Sequence, residues 1–156
     1  MAFKRPESAL VVIFDAAANV LVMQRQDDPN FWQSVTGTLE PGELPLQTAI
    51  REVEEETGIN IALNKLELVD CRSVNQYPIR DIWQHRYPPN CPFNTEHVFA
   101  LKVQGNETIT LTEHLAYQWL PKKLAMEKVW SPTNKVAIEK FVPNTLLSDD
   151  EEQRCP

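Results

Sequence analysis

Short apolar runs separated by polar breaks dominate the first part of the chain, and they predict strands before any helix. Ser8 to Phe14 is apolar and β-branched, Asp15 to Asn19 has turn chemistry, and Val20 to Gln24 is apolar again, which predicts a two-stranded hairpin. Asp27, Asp28, Pro29 and Asn30 break regularity, and Phe31 to Thr36 is an extended segment that runs into Gly37. Between Pro45 and Thr57 the period changes. Leu46, Ala49, Ile50 and Val53 recur at helical spacing and form one apolar stripe. Pro45 suits the first turn of that helix, and Gly58 suits its left-handed C-cap.

Strand-like segments follow at Leu66 to Val74, His97 to Val103, Thr108 to Leu111 and Ala116 to Leu120, the last closed by Pro121. Pro78 to Pro92 is rich in proline, aromatics and arginine and predicts a long loop, a type of segment that often carries function inside a compact domain. Thr133 to Val142 predicts a terminal helix docked on the sheet. The resulting class is α/β (α+β), with a mixed sheet and packed helices.

With 156 residues, 42% hydrophobic and 24% charged, the composition excludes a disordered or fibrous chain and fits one domain. That domain is expected over residues 1–147, followed by an acidic, disordered tail at 148–156. The longest apolar run, Ala9 to Phe14, is far short of the ~20 residues of a spanning helix, and Met1 to Ser8 has no signal-peptide core. A cytoplasmic protein is expected. Cys71, Cys91 and Cys155 are odd in number and widely separated, so they are expected to be free thiols.

The net charge of -7 argues against holding duplex nucleic acid or an anionic membrane by bulk electrostatics. Its distribution is more informative than its size. Between Gly37 and Ile59 one Arg stands against Glu40, Glu43, Glu52, Glu54, Glu55 and Glu56, giving -5. Ser148 to Pro156 contributes -3, which leaves +1 for the rest of the chain. Three of the four glycines, Gly37, Gly42 and Gly58, lie in the same acidic segment.

Within it, Glu52, Glu55 and Glu56 share one helical face, on a different side from the apolar stripe. Three like charges so placed repel, and a hard divalent cation would offset the repulsion, Mg²⁺ first and Mn²⁺ as the alternative. Arg51 stands four residues before Glu55 and can pair with it, whereas Glu54 points elsewhere and is expected to be solvated.

A glutamate run alone is compatible with a plain solvated face, but the spacing around this one is far more specific. From Gly37 there are five residues to Glu43, then seven to Arg51-Glu52-Val53-Glu54-Glu55-Glu56-Thr57-Gly58-Ile59. The segment resembles the complete Nudix box over 23 contiguous residues. The resemblance implies an α/β/α sandwich around a mixed sheet, with the box as a loop-helix-loop. It also implies a metal-dependent hydrolase of a nucleoside diphosphate linked to another moiety. Position by position, it makes Glu52, Glu55 and Glu56 metal ligands and Arg51 an orienting arginine. Glu43 becomes the support of the loop, with Gly37 and Gly58 as further supports of the box. A metal there would neutralise the polyphosphate and acidify the attacking water.

The resemblance continues outside the box, towards the bacterial dihydroneopterin triphosphate diphosphatases as a group. The strings are Lys4-Arg5-Pro6, Gln24-Arg25, Asp27-Asp28-Pro29, Phe31 to Gly37, His85-Arg86-Tyr87, Asn94-Thr95-Glu96 and Thr112 to Tyr117. This implies hydrolysis of 7,8-dihydroneopterin triphosphate to the monophosphate and pyrophosphate, in folate biosynthesis. It also implies Glu113 as a downstream metal-binding or base glutamate, and Lys4, Arg25 and Thr36 as substrate contacts. Arg80 and Arg86 are further cations for the phosphate tail.

Trp32, Tyr77, Trp83 and Trp130 could stack on a flat bicyclic ring or simply pack, and the Tyr77 to Arg80 stretch departs from the matched strings. His85, His97 and His114 lack zinc-ligand spacing and read as structural or hydrogen-bonding. The expected partner is a small polyphosphate, with no nucleic acid or membrane. A hydrolase of dATP or oxidised purine triphosphates is the alternative within the same chemistry. A non-catalytic nucleotide sensor would predict lost metal glutamates, and none is lost. RNA decapping would call for a basic stripe that is absent. The residues leave open which glutamate is the base, how many ions bind, which phosphorus is attacked and the oligomeric state.

Overall fold

The computed structural model describes residues 3–144. In chain order the strands are β1 (Glu7–Phe14), β2 (Asn19–Arg25), β3 (Trp32–Gln33), β4 (Val35–Thr38), β5 (Leu68–Pro78), β6 (Phe93–Lys102) and β7 (His114–Pro121). The helices are α1 (Pro45–Thr57) after β4, then α2 (Lys122–Lys128) and α3 (Pro132–Phe141) after β7. β1 is the centre: every residue from Ser8 onward is buried, because both of its faces are covered. Ala9, Val11 and Ile13 join a core with Ala49 and Val53 of α1. Leu10, Val12 and Phe14 join a second core with Ala125 of α2 and Ala137 and Ile138 of α3. Helices on both faces of one mixed sheet make the expected α/β/α sandwich.

The two edges of β1 differ, and that difference creates the cleft. On one side β1 runs parallel to β6 along its whole length, and β6 pairs antiparallel with β5. On the other, β1 meets β2 only at the hairpin end, Phe14 opposite Val20. There β4 takes over, pairing Ser8 to Val11 of β1 with Thr38 to Val35. β2 pairs instead with β3 and, along its length, with β7.

Several expectations change at their ends. Phe31 to Thr36 is two short strands divided at Ser34, where Asn134 of α3 accepts the Ser34 N–H at 2.9 Å and donates to its hydroxyl at 2.9 Å. The Pro78 to Pro92 loop contains a 3₁₀ helix, Asp81–Arg86. Pro121 closes β7 and at once caps α2, a seven-residue helix with one buried residue, too short for a readable stripe.

Thr108 to Leu111 is not a strand. Its alternation is genuine, since Ile109 and Leu111 pack on the core, but its hydrogen bonds go to the end of α1: Thr110 N–H to Thr57 O at 2.8 Å, and the Thr112 hydroxyl to Glu55 O at 2.7 Å. The expected tail at 148–156 lies outside the described residues, and so does Cys155. Cys71 and Cys91 are free. Among the described residues no helix is long and apolar enough to cross a membrane.

Candidate active site

α1 begins where Pro45 opens the first turn and the Leu44 N–H donates to Gln47 Oε1 at 2.8 Å. It ends at Gly58, whose φ of 79° is the left-handed conformation that terminates a helix. The buried face differs from the simple stripe. Ala49 and Val53 are buried as expected, but Leu46 and Ile50 are exposed, at 45% and 40%. Glu52 and Glu56 take places on the inner face instead, and of the three glutamates only Glu55 is exposed. Gly37 allows this, because a Cβ at that position of β4 would overlap the Glu52 side chain.

Arg51 organises the carboxylates. Its Nε and Nη2 hold Glu43 bidentately at 2.8 and 2.9 Å, and Nη1 reaches Glu52 at 2.6 Å and Glu55 at 3.2 Å. Nη2 also donates to Thr38 O at 3.1 Å, which fastens the helix to β4. Glu43 also accepts from the Glu40 N–H and the Thr48 hydroxyl, and the hydrogen bond from Arg51 takes its carboxyl down to about 2. The expected Arg51–Glu55 pair is therefore one arm of a larger hub. Its main partner, Glu43, is eight residues away.

Glu56 is 2% exposed, and its Oε1 has no hydrogen-bond partner among the described residues. Burial, then the adjacent Glu52, push its carboxyl well up; burial does the same to Glu52. A buried carboxyl oxygen without a partner is costly, and a cation beside it would supply that partner and favour the carboxylate form. Among the described residues no three such side chains converge closely enough to ligate an ion as they stand, since Arg51 draws on Glu52 and Glu55. The oxygen donors and the orphaned Glu56 Oε1 nonetheless fit a hard divalent metal. Glu113 is exposed on the cleft rim, carried there by the Thr112 tie to α1, and its charge is felt by Glu56 and Lys4.

From these carboxylates a cleft of about 1490 Å³ extends along the divided sheet edge. Lys4, Arg25, Thr36, Arg80 and Arg86 all line it. The β2/β7 register shifts between Gln24 and Arg25, a bulge of the kind that redirects a side chain. Arg25 is held by Asp27 through two 2.7 Å contacts, Arg80 by Asp28 at 3.0 Å, and Arg86 by Asp27 at 3.4 Å. Burial, then Arg86 and Arg25, lower the Lys4 ammonium below its ordinary value.

The aromatics divide. Phe31 stacks on Trp130 at 4.8 Å and tilts against Trp83 at 5.7 Å, with the Arg80 guanidinium over both tryptophans. Trp32 packs on the second core, covered by Lys128 at 4.6 Å, and Tyr77 lines the cleft.

Three cleft residues were not singled out by the sequence. His114, read as structural or hydrogen-bonding, faces Glu56 Oε1 at 3.8 Å, and Gln33 lies 3.1 Å from its Nε2. Burial, then Arg25, take it down to about 4, so it is a neutral wall. Asn94 and Glu96 of β6 are buried at the other end. Their only trace was a short matched string, because strand pairing, not sequence proximity, brings them to the cleft.

Comparison with known proteins agrees with this geometry. The NUDIX domain matches residues 4–141. A dihydroneopterin triphosphate diphosphatase of Escherichia coli K12 is 47% identical over 145 residues, covering 91% of this chain and 95% of that protein. Its counterpart in Haemophilus influenzae is 42% identical, covering 92% of each. The solved structure of the E. coli dihydroneopterin triphosphate pyrophosphohydrolase superposes with a TM-score of 0.87 at 45% identity, over 91% of this chain and 98% of that one. With the box, the sandwich and these relatives in agreement, the chain belongs to the Nudix family, as a hydrolase of phosphoric anhydride bonds.

Proposed function

We propose that this chain is a Mg²⁺-dependent enzyme that hydrolyses 7,8-dihydroneopterin triphosphate to dihydroneopterin monophosphate and pyrophosphate, a step of folate synthesis. The observation that carries the reading is a single cleft lined by the α1 carboxylates, by Lys4, Arg25, Arg80 and Arg86, and by aromatic side chains on which the arginines lie. The relatives that share the whole domain carry that activity in their names.

Glu52, Glu55 and Glu56 would hold the metal, with Glu113 reaching in from the rim. A bound divalent ion screens the polyphosphate and brings the pKa of a water close to neutral. Arg51 keeps Glu52 and Glu55 oriented by tying them to Glu43. Lys4, Arg25, Arg80 and Arg86 would meet the triphosphate, the three arginines exchanging part of their pairing with Asp27 and Asp28 for phosphate oxygens. Thr36 faces the same cleft and offers a hydroxyl. In the overall step water oxygen bonds to phosphorus, the P–O–P bridge breaks, and the bridging oxygen leaves with the other product.

The test is product analysis. Purified protein with Mg²⁺ and dihydroneopterin triphosphate should release pyrophosphate and no orthophosphate, and EDTA should abolish the reaction. Successive release of orthophosphate, or undiminished turnover in EDTA, would overturn the assignment.

A further inference from the structure

The last backbone carbonyls of a helix have no intrahelical donor and must find one elsewhere. At the end of α1 the Gly58 N–H meets Glu54 O at 2.9 Å, and the other donors come from a distant segment. The Thr110 N–H reaches Thr57 O at 2.8 Å, and the Thr112 hydroxyl reaches Glu55 O at 2.7 Å. Ile109 and Leu111, on the alternate side, pack on the core that α1 shares with β1. A Cβ on Gly58 would come within 3.2 Å of Thr110 Cβ, so the segment lies close against the helix cap. Thr108 to Thr112 is thus a strap across the end of the carboxylate helix, not a loose connection.

The residue that follows the strap is Glu113, and the one after it is fixed. His114 opens β7 opposite Arg25, and its side chain, 5% exposed, faces Glu56 Oε1 at 3.8 Å. Glu113 is therefore held on both sides by its neighbours while its own side chain is exposed on the cleft rim. With the Thr112 hydroxyl engaged, the free span between strap and strand is Glu113 alone. Without it the span grows by one residue, and consecutive Cα atoms stand about 3.8 Å apart. A metal ligand must sit within about 0.2 Å of its proper distance, so that added freedom is large on the scale that matters. Mg²⁺, which demands near-ideal octahedral geometry, tolerates it least.

We propose that Thr112 is a positioning residue of the metal site: by binding the Glu55 carbonyl, its hydroxyl sets the reach of Glu113 towards the α1 carboxylates. The role rests on the reading of Glu113 as a metal ligand in the function proposed above. It differs from a plain helix cap in what it controls. A cap stabilises α1 whatever residue stands at 113, whereas a positioning tie has no effect on the metal once the Glu113 carboxylate is gone.

The experiment measures Mn²⁺ binding to the intact chain by electron paramagnetic resonance of the free ion, with no substrate present. Glu113→Gln should weaken binding by about 10-fold or more. Thr112→Val and Thr112→Ala, two ways of deleting the hydroxyl at an exposed position, should each weaken it by about 10-fold, the lower end of the loss when support behind a ligand is removed. Thr112→Ser keeps the hydroxyl and should bind Mn²⁺ as the wild type does. In the double variant of Thr112→Val and Glu113→Gln the losses should not add, and affinity should equal that of Glu113→Gln alone. In turnover, Thr112→Val should regain the wild-type kcat when Mg²⁺ is raised about 10-fold, with the KM for dihydroneopterin triphosphate unchanged. If Glu113→Gln weakened Mn²⁺ binding while both hydroxyl deletions left it intact, or if the losses added in the double variant, the positioning role would be overturned and Glu113 would stand as a ligand. Unaltered Mn²⁺ affinity in Glu113→Gln would overturn the ligand reading, and the role of Thr112 with it.

Discussion

At the proposed phosphate end of the cleft, Glu43, Arg51, Glu52, Glu55 and Glu56 come from one loop and one helix, and Arg51 joins Glu43, Glu52 and Glu55 by ion pairs of 2.6 to 3.2 Å. At the proposed ring end, Tyr77, Asn94, Glu96 and Trp130 come from β5, β6 and the turn before α3, and no two of them are helical neighbours. The first group is organised by local geometry and needs only α1 seated against β4. The second exists only once the sheet has its register. This difference separates chemistry from choice: changes at the phosphate end should affect every substrate, and changes at the ring end should affect discrimination.

The largest effect tests the phosphate end. Glu56→Gln removes the buried carboxylate whose Oε1 has no partner among the described residues, and kcat should fall on the order of 10²- to 10⁴-fold, the scale for a group that handles attacking water. The loss should be the same for dihydroneopterin triphosphate and dATP, while the circular dichroism spectrum stays native. A loss confined to one substrate would erase the division between the two ends.

Arg51→Lys should cost less. A lysine retains the charge but cannot hold Glu43 bidentately while reaching Glu52 and Glu55. Activity should fall about 10- to 100-fold and the Mg²⁺ titration should move to higher concentration, the usual consequence of losing support behind metal ligands. An unchanged titration would remove Arg51 from that role.

The smallest effect belongs to the ring end. Trp130→Ala takes away the partner of Phe31 and one of the aromatic faces under Arg80. Aromatic and cation–π contacts of this kind are worth about 0.5–2 kcal/mol, so KM should rise by roughly 2- to 30-fold with kcat little altered. A drop in kcat at constant KM would place Trp130 in the chemistry instead.

The same contrast explains what could be read in the sequence. The Nudix box is contiguous, so its spacing carried the helix and its C-cap, and it marked the glutamates that the structure gathers on α1. The periodic pattern failed within that very helix, where Leu46 and Ile50 are exposed and Glu52 and Glu56 are buried. Burying carboxylates opposes ordinary amphipathic logic and is tolerated where function requires it. Thr108 to Leu111 has strand-like alternation, but its hydrogen bonds go to α1, and alternation alone carries no information about the partner. Glu96 and His114 were invisible as cleft residues because β1–β6 and β2–β7 pairing brings them there.

The most direct test of the central claim is the ratio of kcat/KM for dihydroneopterin triphosphate to that for dATP, measured with the wild-type chain and Mg²⁺ at one pH. The predicted ratio is at least about 100, the scale on which a site built for one hydrogen-bonding edge rejects another. A ratio near or below unity would contradict the account and identify a nucleotide-pool hydrolase in its place.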